Sequence, residues 1–263
     1  MDRNPRDVAS YVSTWRYIPT ITTSAATQMA IDRYLLEQHQ RGKHPPCLRF
    51  YSWQPAAISL GYHQKDYPAV WHDLSWQGKP LEIVRRPTGG RAVLHQGDLT
   101  YAVITSIPPG KRLEVYKQIC EFLILGWRSL DVELNYGAAT KEYIQQQNCF
   151  ATATGADLIT SKGHKVIGSA QLRRRKTVLQ HGSMILNTDK NLYQQVFGTC
   201  LEQNLLEVIS PKKDRSTRHC DGDRPAKIIK SLTKAASANF KIDLVEQPLS
   251  TTEWQDIVNT GVE

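Results

Sequence analysis

Residues 144–186 read IQQQNCFATATGADLITSKGHKVIGSAQLRRRKTVLQHGSMIL. From residue 156 onward the run alternates in the β manner. ADLITSKGHKVIG predicts a hairpin, and KTVLQHGSMIL predicts a further strand. Ahead of the hairpin, Cys149 stands in the polar run QQNCFATATG, and Lys165 follows it sixteen residues later. A Gly-Ser-Ala-Gln turn (Gly168, Ser169, Ala170, Gln171) and a His-Gly-Ser turn (His181, Gly182, Ser183) lie beyond. A thiol and an amine brought together by a fold can run acyl-transfer chemistry. Spacing alone does not pair them.

Working outward, Trp15, Tyr17 and Ile18 suggest an opening strand. A helix is expected from Ser24, its N-cap, with Met29, Ile31, Leu35 and Leu36 at roughly helical spacing; Gly42 and Pro45-Pro46 end it. CLRFYSW (47–53), AAISLGY (56–62) and LEIVRR (81–86) read as strands. AVL and LTYAVI read as adjacent strands joined by a His95-Gln96-Gly97-Asp98 turn. A second helix is expected near 113–130, a strand or extended link over 131–137, and one helical pattern over 190–209. After a polar loop come helix signals at 225–239, the β run FKIDLVE and a terminal helix start at TTEWQD. No internal repeat or interdomain linker interrupts the order. The expectation is one domain over 1–263, with a catalytic core at about 24–210 and a C-terminal helical extension at about 211–263.

Composition narrows the function classes. Hydrophobic residues make up 40% and charged residues 22%, values of a soluble globular protein. No apolar run approaches the ~20 residues of a membrane span, and the polar N-terminus lacks a secretory core. These points predict a cytoplasmic protein. Cys47, Cys120, Cys149, Cys200 and Cys220 are odd in number and scattered, with no CxxC pair, which argues against a disulfide framework or a zinc site. No metal is expected. The net charge of +8 favours an acidic partner without selecting one. The dense run Arg173–Lys176 reads either as a solvated turn or as a docking patch.

The candidate residues follow from their settings. Cys120 sits among apolar residues of a helix, as a packing cysteine does, whereas Cys149 in polar company is the thiol best placed to react. A free thiol is only a few per cent ionised at neutral pH, and a neighbouring cation raises that fraction. Lys165, on a β run beside Gly168, is the candidate cation. In Arg85-Arg86-Pro87-Thr88-Gly89-Gly90-Arg91, paired glycines after a strand allow φ > 0 and close ligand approach. Spacing alone leaves a hairpin turn and an anion cradle equally open there. His95 and His181 read as turn-ordering histidines or as proton carriers.

VRRPTGGRAVLHQGDLTY (84–101), NCFATATGADL (148–158) and GHKVIGSAQLRRRKTVLQHGSMIL (163–186) together resemble the lipoate- and biotin-protein ligase superfamily. Within it the chain is most similar to the LipM-type octanoyltransferases. ATQMAIDRYLLEQ and LGYHQ (60–64) fall in the expected order before these blocks, so the likeness spans roughly 24–190. The resemblance implies an α/β (α+β) fold, a mixed β-sheet flanked by helices, and a tunnel for a medium-length acyl chain. It further implies transfer of octanoyl from acyl carrier protein to a lysine of a lipoyl domain or of a glycine-cleavage H-type acceptor, with no cofactor. On that mapping Cys149 carries the acyl thioester and Lys165 lowers its pKa. Arg86, Gly89, Gly90, His95, Gly168, Ser169, Ala170, His181 and Gly182 fall in substrate-binding segments.

An ATP-dependent lipoate ligase on the same fold is the main rival, and an octanoyl amidotransferase acting between carrier proteins is another. The ligase loop has a third glycine where this chain has Arg91, and its asparagine after the His turn is replaced by Asp98-Leu99-Thr100. Both departures favour the transferase. A nucleic-acid-binding module would explain the basic charge, but no zinc spacing or aromatic-basic signature supports it. Neither nucleic acid nor membrane is expected as a partner.

Overall fold

The computed structural model describes residues 12–137, 157–209 and 224–260. The chain opens with β1 (Ser13–Thr23), α1 (Ala25–Gln40) and β2 (Cys47–Trp53). Here β1 and β2 pair in parallel, with α1 as the crossover such a pair requires. Ser24 caps α1 as expected: it is extended, and its hydroxyl accepts from the Thr27 N–H at 3.3 Å. Next come β3 (Ala57–Leu60), a 3-10 turn (Ala69–Asp73), the two-residue strands β4 (Ser75–Trp76) and β5 (Lys79–Pro80), and β6 (Glu82–Arg85). β7 (Val93–His95), β8 (Asp98–Ser106), α2 (Arg112–Arg128) and β9 (Leu134–Tyr136) complete the first part. After the undescribed 138–156 follow β10 (Leu158–Thr160), β11 (Lys165–Arg174), β12 (Thr177–Ile185), α3 (Lys190–Phe197) and α4 (Leu205–Ile209). α5 (Arg224–Phe240), β13 (Ile242–Glu246) and α6 (Thr251–Thr260) close the chain.

Eight strands form one mixed sheet in the order β13-β1-β2-β8-β12-β11-β10-β9, and β6-β3-β7 form a second, smaller sheet. The central strand β8 pairs antiparallel with β2 on one side and β12 on the other, and all of its residues but the last are buried. Period-2 alternation sorts its side chains between two cores. Tyr101 and Val103 pack toward α2 and α5, while Ala102 and Ile104 pack toward α1 and α6. A third core, around Ile58, Leu60, Trp71, Leu94, Leu192 and Val196, fastens the small sheet to α3. Among the described residues no helix is long and apolar enough to cross a membrane.

Three expectations are corrected. The Gly-Ser-Ala-Gln and His-Gly-Ser stretches are not turns but lie within β11 and β12. The segments AVL and LTYAVI are consecutive but do not pair: β7 pairs with β3 in the small sheet, whereas β8 runs through the large one. The His95–Asp98 corner turns the chain between sheets, held by His95 Nδ1 on Asp98 Oδ2 at 2.8 Å. The helical pattern over 190–209 is two helices. Gly198 takes the left-handed conformation (φ +69°) as the C-cap of α3, and an extended link runs to α4. In the C-terminal segment, α5 packs on α2, and β13 extends the large sheet by pairing in parallel with β1.

Candidate active site

Two sequence-distant segments converge where the small sheet meets the large one. The loop after β6 brings Arg86 and Gly90, and β7 brings His95. β11 brings Gly168, Ser169 and Ala170, and β12 brings His181 and Gly182. All eight line one pocket. Met29, Tyr51, Trp53 and Val93 give the same pocket an apolar wall. The antiparallel register sets Gly168 opposite Ser183, Ser169 opposite Gly182 and Ala170 opposite His181, which makes the two strands one floor.

That floor is tight. A Cβ on Gly182 would stand 2.5 Å from Ser169 Oγ, 2.6 Å from the Gly168 carbonyl oxygen and 2.8 Å from the Tyr101 ring. Gly90 has φ +99°, the freedom the sequence suggested, and a Cβ there would press on the Arg86 guanidinium at 2.8 Å. Gly89 lines an outer groove instead of the pocket. Arg86, expected to bind substrate, directs its guanidinium at backbone carbonyls: Ser59 at 2.8 Å, Gly89 at 2.9 Å and Arg91 at 2.6 Å. It frames the loop and also forms part of the pocket wall.

Both histidines are fixed by buried carboxylates. His181 Nδ1 donates to Asp32 Oδ2 at 2.8 Å, and its Nε2 meets Thr88 Oγ1 at 2.6 Å, so α1 is tied through β12 to the glycine loop. An ionised Asp32 only accepts, which fixes a proton on Nδ1. Asp32 also accepts from the Tyr51 hydroxyl at 3.0 Å and pairs with Arg49 at 3.3 Å. Burial pushes the Asp32 carboxyl up, but Arg49, His181 and Tyr51 outweigh it and hold the pKa below the ordinary value. His95 is stacked on Trp53 at 3.8 Å between ring centroids, with Asp98 on Nδ1 and Ser59 Oγ on Nε2 at 2.8 Å. Burial lowers its pKa despite Asp98, so the neutral ring is the stable form. It orders the corner and also lines the pocket.

Lys165 opens β11 and is buried, with its Nζ 2.9 Å from Asp157 Oδ2, and Asp157 lines the pocket. Cys149 lies outside the described residues. Cys47 and Cys120 are buried, and burial pushes each thiol up to about 12, so neither is a ready nucleophile. Sequence reasoning passed over Asp32, Arg49, Ser59 and Asp157. One signal was available: Asp32 sits among Met29, Ile31, Leu35 and Leu36, on the helix face that must be buried, and an acid there requires partners.

Comparison with known proteins places this site in a family. The model of the lipoyl protein ligase A/B catalytic domain matches residues 24–252. "Octanoyltransferase LipM" of Brevibacillus brevis is 34% identical over 254 residues, 91% of each chain. The protein of the same name from Carboxydothermus hydrogenoformans is 36% identical over 251 residues, 92% of each. Among solved structures, lipoate-protein ligase A bound with ATP superposes with a TM-score of 0.74 at 19% identity, covering 94% of each chain. A putative lipoate protein ligase from T. acidophilum with bound lipoic acid gives 0.74 at 20%, with the same coverage. Identities that low establish a common fold, and the fold is the one expected. The chain belongs to the lipoyl protein ligase A/B catalytic domain family.

Proposed function

We propose that this family member is an octanoyltransferase, moving octanoyl from the thioester of acyl carrier protein, through a thioester on Cys149, to a lysine of a lipoyl-accepting protein. One observation carries the reading: residues 84–101 and 163–186, singled out as acyl-transfer motifs, close around a single pocket with an apolar wall and a polar floor. The relatives named octanoyltransferase LipM support it. In this reading Met29, Tyr51, Trp53 and Val93 receive the alkyl chain. The carbonyl lies at the glycine-lined end, where Gly90 and Gly168 leave room for close approach.

The chemistry needs no activation by ATP, because the donor is already a thioester. Cys149 thiolate attacks the carbonyl carbon, and the bond to the carrier's arm breaks. The proton given up by the Cys149 thiol passes through Lys165 to the departing sulfur. The acceptor amine then attacks the enzyme thioester, an amide forms, the carbon–sulfur bond to Cys149 breaks, and an amine proton returns to its sulfur. Asp157 balances the buried Lys165 charge at 2.9 Å and holds the amine in place. Water-excluded donors around the developing oxyanion are worth more than in bulk solvent.

The test is to incubate the protein with octanoyl-acyl carrier protein, without ATP, and measure intact mass. An increase of about 126 Da located on Cys149 is what covalent catalysis requires. No adduct, together with ATP-dependent attachment of lipoate, overturns the reading in favour of a ligase.

A further inference from the structure

We propose that an arginine-walled groove outside the acyl pocket is the docking surface for the acidic donor carrier protein. It would grip the carrier's acidic side chains and the phosphodiester at the root of the carrier's arm. The inference rests on the octanoyl-transfer reading. Arg33 of α1, Arg85 and Arg86 at the glycine loop, Arg112 at the start of α2, and Arg173 and Arg174 at the end of β11 line the groove, with no Asp or Glu lining it among the described residues. The chain as a whole carries 25 acidic against 33 basic residues, so a wall of six arginines without an acid is a local concentration of charge. Of the run Arg173–Lys176, only Arg173 and Arg174 line the groove; Arg175 and Lys176 are exposed at the turn beyond it.

Besides Arg86, two of the arginines are anchored. Arg85 is anchored on the carbonyls of Gly61 at 2.8 Å and Gln64 at 2.6 Å, and Arg173 on Gln171 Oε1 and the Arg112 carbonyl, each at 3.2 Å. Arg33, Arg112 and Arg174 are exposed. Tyr62, 59% exposed and edge-on to His63, adds an aromatic of the kind enriched at protein interfaces. Guanidinium groups suit the partner's chemistry, because their planar fork takes phosphate or carboxylate oxygens two at a time.

Continuity with the pocket, together with guanidinium forks suited to a phosphodiester that only the donor's arm carries, favours the donor over the acceptor. The groove and the acyl pocket share Arg86, Gly90, Ser169 and Ala170. An arm rooted among the arginines would therefore enter the pocket without leaving the wall. Charge of one sign at a cleft raises association rates and makes them fall with ionic strength.

The experiment compares two donors, octanoyl-acyl carrier protein and octanoyl-pantetheine, the second lacking both phosphate and protein. Arg33→Glu, Arg112→Glu and Arg174→Glu are made singly and together, and Lys79→Glu, Lys230→Glu and Lys234→Glu serve as a control of equal charge. The combined groove variant should raise KM for the carrier-borne donor about tenfold, the low end of electrostatic steering, with kcat and the pantetheine constants unchanged. The wild-type KM should rise with salt, and the variant's should not. The control variant should behave as wild type, and the single reversals should show graded increases if the combined variant does not fold. An unchanged carrier KM, equal losses with both donors, or a loss confined to the acceptor's KM overturns the docking assignment. Salt-sensitive binding of nucleic acid in place of the carrier overturns it as well. Wild-type protein that forms no acyl adduct from either donor overturns the transfer reading itself, a different result from the others.

Discussion

Replacing Asp32 by alanine tests the polar frame that ties α1, β2 and β12 to the glycine loop. Asp32 and Arg49 are both fully buried. The carboxylate answers three groups: Arg49 at 3.3 Å, His181 Nδ1 at 2.8 Å and the Tyr51 hydroxyl at 3.0 Å. Its removal leaves a guanidinium uncompensated in the core, and breaking one side of a buried pair costs about 3–5 kcal/mol. At roughly 2–4 °C per kcal/mol for a chain near this size, the melting temperature should fall by about 6–20 °C. The assay is thermal unfolding by circular dichroism, with octanoyl-adduct formation measured well below the transition. Because His181 holds Thr88, the surviving fold should form the adduct more slowly. The double variant Asp32→Leu with Arg49→Met removes both charges and should be more stable than Asp32→Leu alone. The pH dependence has a defined sign. Asp32's folded pKa lies below its ordinary value of 3.8. Its contribution is therefore complete above that value and lost as pH falls through the folded pKa. The gap between wild type and Asp32→Ala should narrow below about pH 4. A melting temperature within about 2 °C of wild type at neutral pH would refute the claim that this pair is a supporting element.

Gly182→Ala puts a methyl against Ser169, the Gly168 carbonyl and Tyr101; it should cost about 1–3 kcal/mol in denaturant titration and suppress adduct formation, and wild-type stability would show that the floor can open. Cys149→Ala should abolish transfer while preserving the circular dichroism spectrum, and full activity would remove Cys149 from the mechanism. Lys165→Ala should lose most activity and regain part of it at higher pH as more of the thiol ionises, whereas no recovery would show that its proton transfer or positioning, and not its effect on thiol ionisation, is its main contribution. Burial pushes Glu253 up, but Arg16, the Ser250 N–H and His44 bring its pKa down to about 2. Its contribution is present above its ordinary 4.5 and lost as pH falls toward about 2, so Glu253→Gln should flatten the acid limb of a stability–pH curve. An unchanged acid limb would show that the Arg16–Glu253 contact carries no net stability.

Local chemistry written in the chain was legible from the chain. Ser24 could be identified as a cap, CLRFYSW as a strand and Lys165 as a β residue because each depends on neighbours within a few positions. The motifs around the glycine loop and β11–β12 supplied the family and most of the pocket lining. What the sequence alone could not settle was pairing across distance. His95 and Asp98 read as a hairpin turn, yet strands three residues apart joined different sheets, because β7 found its partner in β3 and β8 found its partners in β2 and β12.

The residues that misled or escaped the sequence reading are those whose meaning depends on a distant partner. Arg86 was placed in a substrate-binding segment, and besides lining the pocket it holds backbone carbonyls of distant and neighbouring residues. Asp157 looked like an ordinary hairpin residue, and it pairs with Lys165. Arg33, Arg112 and Arg174 are spread over 142 positions and line one groove. By itself the sequence determined the order of elements, the family and the chemical types at the pocket, since periodicity, capping and motif spacing are local. Only the tertiary structure decided which strand closed on which and hence what each charged side chain faces, because pairings between distant segments set that geometry and burial sets its energetic weight.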